Sequence, residues 1–121
     1  MNKIMIVEDD RTTVKLLKYL LEKHGYETVS FENGKDAVDA IQEEKPDLIL
    51  MDIMMPEMNG LEATEKIREI PELADTPIII LSALGQEMEV TKGLKVGADG
   101  YVVKPFDTQS LLRHIKEQLS S

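Results

Sequence analysis

The sequence predicts an α/β domain built on a five-stranded, doubly wound parallel sheet, and three observations carry that prediction. Short strand-length runs, several of them continuously apolar, occur at Lys3–Val7, Tyr26–Phe31, Leu48–Met51, Pro77–Leu81 and Tyr101–Val103. Runs this short without strict alternation suit strands buried on both faces, as in a parallel sheet. Segments with apolar residues at helical spacing follow each run, and such alternation gives right-handed crossovers with helices on both faces. Finally, Glu8 and Asp9, Asp52, Ser82 and Lys104 each end or follow a different run. In open α/β sheets the carboxyl edge of the strands is where ligands bind.

The elements can be justified in order. Lys3 to Val7 is the first strand and stops at Glu8-Asp9-Asp10. From about Arg11 to His24, Val14, Leu17, Leu20 and Leu21 recur at helical spacing, and Gly25 is a C-terminal stop. After the second strand, Asn33 can cap a helix whose inner face holds Ala37, Val38 and Ile41. Pro46-Asp47 then leads into Leu48–Met51, which ends in Asp52 and a Met-Met-Pro turn. Pro56 cannot continue a central strand, and Gly60 permits the unusual dihedrals of a tight loop.

A third helix is expected from Gly60 or Leu61 to Ile70, with Leu61, Thr64 and Ile67 to Ile70 inward, and Pro71 to Pro77 as a loop or a frayed turn. The fourth helix, about Gln86 to Val96, contains Gly93 and is weak by propensity. Lys104-Pro105-Phe106 follows the fifth strand, and Asp107 or Thr108 caps a last helix carrying Leu111, Leu112, Ile115 and Leu119.

The chain of 121 residues has room for one domain, 1–121, and one aliphatic core, since hydrophobic residues make up 42% but aromatic residues only 4%. Methionine is expected to fill part of that core. The absence of cysteine excludes disulfides and thiolate metal sites. A net charge of −9 argues against direct nucleic-acid binding, which needs clustered Lys and Arg. The apolar stretch near the N-terminus is too short and too soon followed by acids to be a signal peptide or a membrane span, so a cytoplasmic protein is the expectation.

Strand order 2-1-3-4-5 places strands one and three side by side, and Glu8 and Asp9 would then meet Asp52. Two carboxylates ~5 Å apart at an effective dielectric of ~20 repel by roughly 3 kcal/mol, and a third multiplies the cost. Lys104 brings one positive charge, so a divalent cation is the natural complement. Hard carboxylate oxygens without His or Cys indicate Mg²⁺ or Mn²⁺, and few protein ligands favour Mg²⁺.

Val7-Glu8-Asp9-Asp10, Asp52 to Gly60, Ile80-Leu81-Ser82-Ala83 and Gly100 to Phe106 together resemble the CheY-like receiver domains of two-component response regulators. The resemblance covers essentially the whole chain and implies a flavodoxin-like fold with five helices. It implies that Asp52 is the phosphoacceptor, that Asp9 is a direct Mg²⁺ ligand, and that Glu8 holds metal-bound water. The backbone carbonyl of Met54 would be the remaining protein ligand. Ser82 would bond one phosphoryl oxygen and Lys104 pair with another, with a cis Lys104-Pro105 bond.

Ser82 and Tyr101 match the switch pair of the family, which would change the surface of the fourth helix, fifth strand and fifth helix. Implied partners are a histidine kinase or histidine phosphotransfer protein, and an effector protein or an output domain outside this stretch. A phosphorylation-linked dimer is a further arrangement. Met54 and Leu84 occupy the places that flank the attacking water, so slow loss of phosphate is expected. His24 and His114 match no role. The rival reading, a Mg²⁺-dependent phosphohydrolase with an aspartate nucleophile, lacks an acid at the second position after Asp52, where Met54 stands. On the favoured reading the chain is a signalling domain rather than an enzyme acting on a separate substrate.

Overall fold

The computed structural model describes residues 2–55, 58–83 and 85–120. Five strands, β1 (Lys3–Val7), β2 (Glu27–Phe31), β3 (Leu48–Asp52), β4 (Ile78–Ala83) and β5 (Gly100–Lys104), form one sheet in the order β2-β1-β3-β4-β5. All four pairings are parallel. The helices are α1 (Arg11–Lys23), α2 (Gly34–Glu44), α3 (Gly60–Arg68), α4 (Glu87–Lys95) and α5 (Thr108–Ser120), with a short 3-10 turn at Pro71–Leu73.

Side chains alternate across each strand, so the continuous apolar runs feed two separate core layers. On one face Ile4, Ile6, Leu48, Leu50, Ile79 and Leu81 meet Leu17 and Leu21 of α1 and Leu111 and Ile115 of α5. On the other, Met5, Val7, Ile49, Met51 and Ile78 meet Ala37 and Ile41 of α2 and Ala63 and Ile67 of α3. Each of the buried Val, Leu, Ile and Met side chains contributes about 1.5–3 kcal/mol against exposure, and the two alanines less. The central strand β3 is buried along its whole length, which holds its last residue, Asp52, in a fixed place.

Side-chain caps start two of the helices. Asn33 Oδ1 accepts the Asp36 amide at 2.8 Å, and Asn59 Oδ1 accepts that of Glu62 at 3.0 Å. At α5, the Leu111 amide donates to the carbonyl of Asp107 at 3.0 Å. The fourth helix is lightly held: its core contribution is a small cluster of Ile53, Ile80 and Val90.

One expectation needs correction. The inner face of α3 is Gly60, Ala63, Thr64 and Ile67, whereas Leu61 and Ile70 are only half-buried. Helix α3 lies between α2 and α4, so a small Ala63 faces α2, while Leu61 reaches towards Gly93 of α4. Methionine does fill part of the core: Met5 and Met51 are buried, and Met55 and Met58 pack against the layer under α2 and α3, while Met54 and Met88 are exposed.

Candidate functional site

The pairing of β1 with β3 sets Val7 beside Met51, so Glu8 and Asp9 emerge next to Asp52. Glu8 is 1% exposed and Asp52 6% exposed, while Asp9 faces solvent. Each of the three offers a carboxylate oxygen lying within 4.8 Å of the others. Lys104 ends β5 and crosses to this cluster. Its Nζ donates to Glu8 Oε1 at 2.6 Å and stands 3.4 Å from Asp52 Oδ1. Glu8 Oε2 also accepts the Asp10 amide at 3.2 Å.

This crowding sets the protonation states. Burial, and then the neighbouring Glu8 carboxylate, push Asp52 up to about 7, against the weaker pull of Lys104. Asp9 is raised as well, by loss of solvent and by Glu8. Glu8 moves down: burial opposes its charge, but bonds from Asp52, Lys104 and the Asp10 amide together outweigh burial. Lys104 is raised, because Glu8 and Asp52 hold its proton against the opposing effect of burial. One lysine is therefore shared between Glu8 and Asp52, closer to the first, and three carboxylates are left short of positive charge.

A hard divalent cation fits that deficit, since the donor set is all carboxylate oxygen. Met54 follows Asp52 by two residues with its side chain 60% exposed. A thioether is a poor ligand for a hard cation, so this side chain does not belong to the donor set; the resemblance alone implies its backbone carbonyl. Gly60 closes the loop after Asp52, its amide donating to the Ile53 carbonyl at 2.8 Å. Its φ is not positive, which corrects the expectation of unusual dihedrals. A Cβ there would collide with the carbonyl oxygen of Asp52, so glycine is required by close approach.

Ser82 lies within β4, at the same edge of the sheet. It is 1% exposed, and its buried Oγ has no hydrogen-bond partner among the described residues. Such a group ordinarily costs 1–3 kcal/mol and invites an explanation. Ser82 also lines a groove of about 240 Å³ with Val90, Leu94, Tyr101 and Val103. The Tyr101 side of that groove is open, the residue being 47% exposed.

The Lys104–Pro105 peptide is cis. Gln86, which no motif pointed to, accepts the Ala83 amide on Oε1 at 2.6 Å and ties the turn between β4 and α4. His24 Nδ1 lies 2.9 Å from the Leu20 carbonyl, and His114 packs against Gly100, both away from the cluster. Leu84, paired with Met54 in the expectation of slow phosphate loss, lies outside the described residues, as do Pro56 and Glu57.

An acid cluster with two buried members and one crossing lysine, at the carboxyl edge of a 2-1-3-4-5 sheet, defines a receiver of two-component signalling. The chain belongs to the response regulator receiver domain family, which it matches over residues 4–116. It is 43% identical over 117 residues to the phosphate regulon transcriptional regulatory protein PhoB of Rhizobium meliloti (strain 1021). That match takes in 97% of this chain and 52% of PhoB, so the chain spans about half the length of this relative.

Among solved structures, the signal receiver domain of a signal transduction histidine kinase from Syntrophus aciditrophicus superposes with a TM-score of 0.92. It is 38% identical, over 99% of this chain and 91% of that one. The receiver domain of the sensor histidine kinase PA1611 from Pseudomonas aeruginosa PAO1 has the same TM-score at 29% identity, over 99% and 98% of the two chains. That structure has a magnesium ion coordinated in its active-site cleft. Nothing in these relatives favours the phosphohydrolase alternative. Among the described residues no helix is long and apolar enough to cross a membrane.

Proposed function

We propose that residues 1–121 form a single receiver unit in which Asp52 accepts a phosphoryl group from a phosphohistidine donor. That donor is a histidine kinase or a histidine phosphotransfer protein. The observation that carries the reading is the position of Asp52: buried at the end of the central strand, within 4.8 Å of two carboxylates and beside Lys104.

Asp9, Asp52 and the Met54 carbonyl would hold Mg²⁺, or Mn²⁺ in its place, and Glu8 would act on it through water. When bound, the ion supplies the positive charge that three carboxylates and a phosphoryl group require. The other roles fall to the chain itself. An Asp52 oxygen forms the new bond to phosphorus as the bond from phosphorus to the imidazole nitrogen breaks, and the released imidazole takes its proton from water. Lys104 neutralises one phosphoryl oxygen, and the unpartnered Ser82 hydroxyl donates to another. Such transfer needs positioning and charge neutralisation more than a protein base. The same groups make the domain the catalyst of its own phosphorylation and dephosphorylation.

Movement of Ser82 towards phosphate would free the groove beside it for the Tyr101 ring, altering the α4–β5–α5 surface. That surface then engages an effector protein, an output domain elsewhere in the polypeptide, or a second phosphorylated copy. The domain itself binds no nucleic acid and works in the cytoplasm.

The test is incubation with Mg²⁺ and acetyl phosphate, followed by intact-mass measurement. Wild type should gain one phosphoryl group and Asp52→Asn none; equal labelling of the variant would remove Asp52 from this role.

A further inference from the structure

We propose that Gln86, the residue before α4, is a positioning residue that holds Ser82 in the arrangement seen here and opposes its movement towards Asp52. The inference rests on the reading above, in which Ser82 moves towards a phosphoryl group on Asp52. Gln86 acts on Ser82 through the peptide that Ser82 shares with Ala83.

The ladder between β3 and β4 shows why an amide is left over at this place. Successive residues of an inner strand bond to opposite neighbours. The Leu81 carbonyl accepts the Ile53 amide at 3.3 Å, so the Ala83 amide, two residues on, faces the same side, that of β3. In a continued ladder it would donate to the Ile53 carbonyl, but that oxygen accepts the Gly60 amide at 2.8 Å. The Gln86 carboxamide fills the gap. Its Oε1 accepts the Ala83 amide at 2.6 Å, and the Gln86 amide donates back to the Ala83 carbonyl at 3.3 Å.

This pair of bonds joins the end of β4 directly to the start of α4. Gln86 stands at the N-cap of α4, yet its side chain caps no amide of that helix. The helix has few other anchors, since only Val90 and Gly93 among its residues are buried. Ser82 and Gln86 line one groove with Tyr101, and the Ser82 Oγ has no partner among the described residues. A shift of Ser82 towards Asp52 carries the Ala83 nitrogen with it and draws that nitrogen off Gln86. The bond therefore favours the arrangement with Ser82 held back, and losing it moves the population the other way.

The experiment times the labelling of Asp52 by acetyl phosphate and Mg²⁺, read by intact mass, in wild type, Gln86→Met and Gln86→Ala. Methionine keeps the length and nearly the helix propensity of glutamine, but its sulfur is a weak acceptor. A neutral hydrogen bond favours one arrangement by a factor of about 2–10, and both variants should be labelled faster by about that factor. In a Ser82→Ala background the same substitutions should give no acceleration, because Gln86 acts through Ser82.

Unchanged or slower labelling of Gln86→Met overturns the inference, as does acceleration that persists without the Ser82 hydroxyl. Acceleration in Gln86→Ala alone would trace the effect to lost bulk in the groove and overturn it too. Each of these results leaves the labelling of wild type on Asp52 standing. A wild type that takes no phosphoryl group on Asp52 overturns the reading beneath as well.

Should the variants fail to fold, the side-chain carbonyl ¹³C resonance of Gln86 in wild type gives the decision. It should move upfield on phosphorylation as Oε1 loses its donor; a resonance that stays in place overturns the inference.

Discussion

The two ends of the sheet handle charge in opposite ways. At the amino edge, Lys3 Nζ reaches Glu44 at 2.9 Å and Glu27 at 3.7 Å, while its amide donates to Asp47 at 2.7 Å. Arg68 does more: it bonds the carbonyls of Gly97 and Leu73 and the carboxylate of Asp99, all within 2.9 Å. Asp99 in turn accepts the Ile78 amide at the start of β4. At the carboxyl edge, among the described residues, three acids share one lysine and the buried Ser82 hydroxyl has no partner. Charges that satisfy one another staple elements together. Charges left unbalanced keep a place for something from outside, and they do so at a cost in stability.

The sharpest way to break that comparison is to remove one group from each edge and compare signs. Arg68→Ala should destabilise the fold by about 1–3 kcal/mol, because it leaves the part-buried carbonyls of Gly97 and Leu73 without this donor, while the exposed Asp99 carboxylate adds little. Mg²⁺ affinity should stay within about twofold, since Arg68 is remote from the acids. Urea unfolding and a metal titration check both. A variant that keeps full stability would mean the amino edge is not stapled as described.

Asp52→Asn should act the other way and stabilise the metal-free protein at pH 8 by about 1–3 kcal/mol. The sign follows from its raised pKa. An acid held at about 7 when folded, against 3.8 ordinarily, takes up a proton more readily in the folded state. Wild-type stability from this group therefore rises as pH falls through about 7, and the advantage of the variant fades towards pH 4. Glu8 contributes with the opposite sign in a lower window, its stabilisation being lost as pH falls below its ordinary 4.5. Denaturation midpoints at pH 8 and pH 5 distinguish this from a pH-independent effect. An unstable Asp52→Asn would show that the aspartate is satisfied.

Asp9→Ala should alter stability least, by under about 0.5 kcal/mol, because the residue is solvent-exposed. Its Mg²⁺ binding should nonetheless drop at least about tenfold. Unchanged binding would move the metal away from Asp9.

Much of this was legible in the sequence because the carboxyl edge is written in strand ends. A buried strand allows a charge only at its terminus, so Glu8, Asp52 and Lys104 marked one edge once the alternation of strands and helices was seen. The amino-edge staple was hidden: Arg68 and Asp99 are far apart in sequence, and no periodicity joins a helix end to a turn. The preference of Lys104 for Glu8 over Asp52 was also invisible, since it depends on a difference of less than 1 Å between two partners. The choice of Ala63 over Leu61 for the inner face of α3 was hidden too. Apolar spacing gives the buried side of a helix but not how closely a neighbour approaches. The exclusion of a side chain at Gly34 was equally hidden, since only the position of the Met58 carbonyl shows it.

The central claim is that the carboxyl edge lacks positive charge until a cation supplies it. The most direct measurement follows the side-chain carboxyl ¹³C resonance of Asp52 against pH, with and without Mg²⁺. The account predicts an apparent midpoint near 7 in metal-free protein, coupled to the titration of its neighbours, and a marked fall when Mg²⁺ is present. A midpoint near 4 that ignores Mg²⁺ would contradict it.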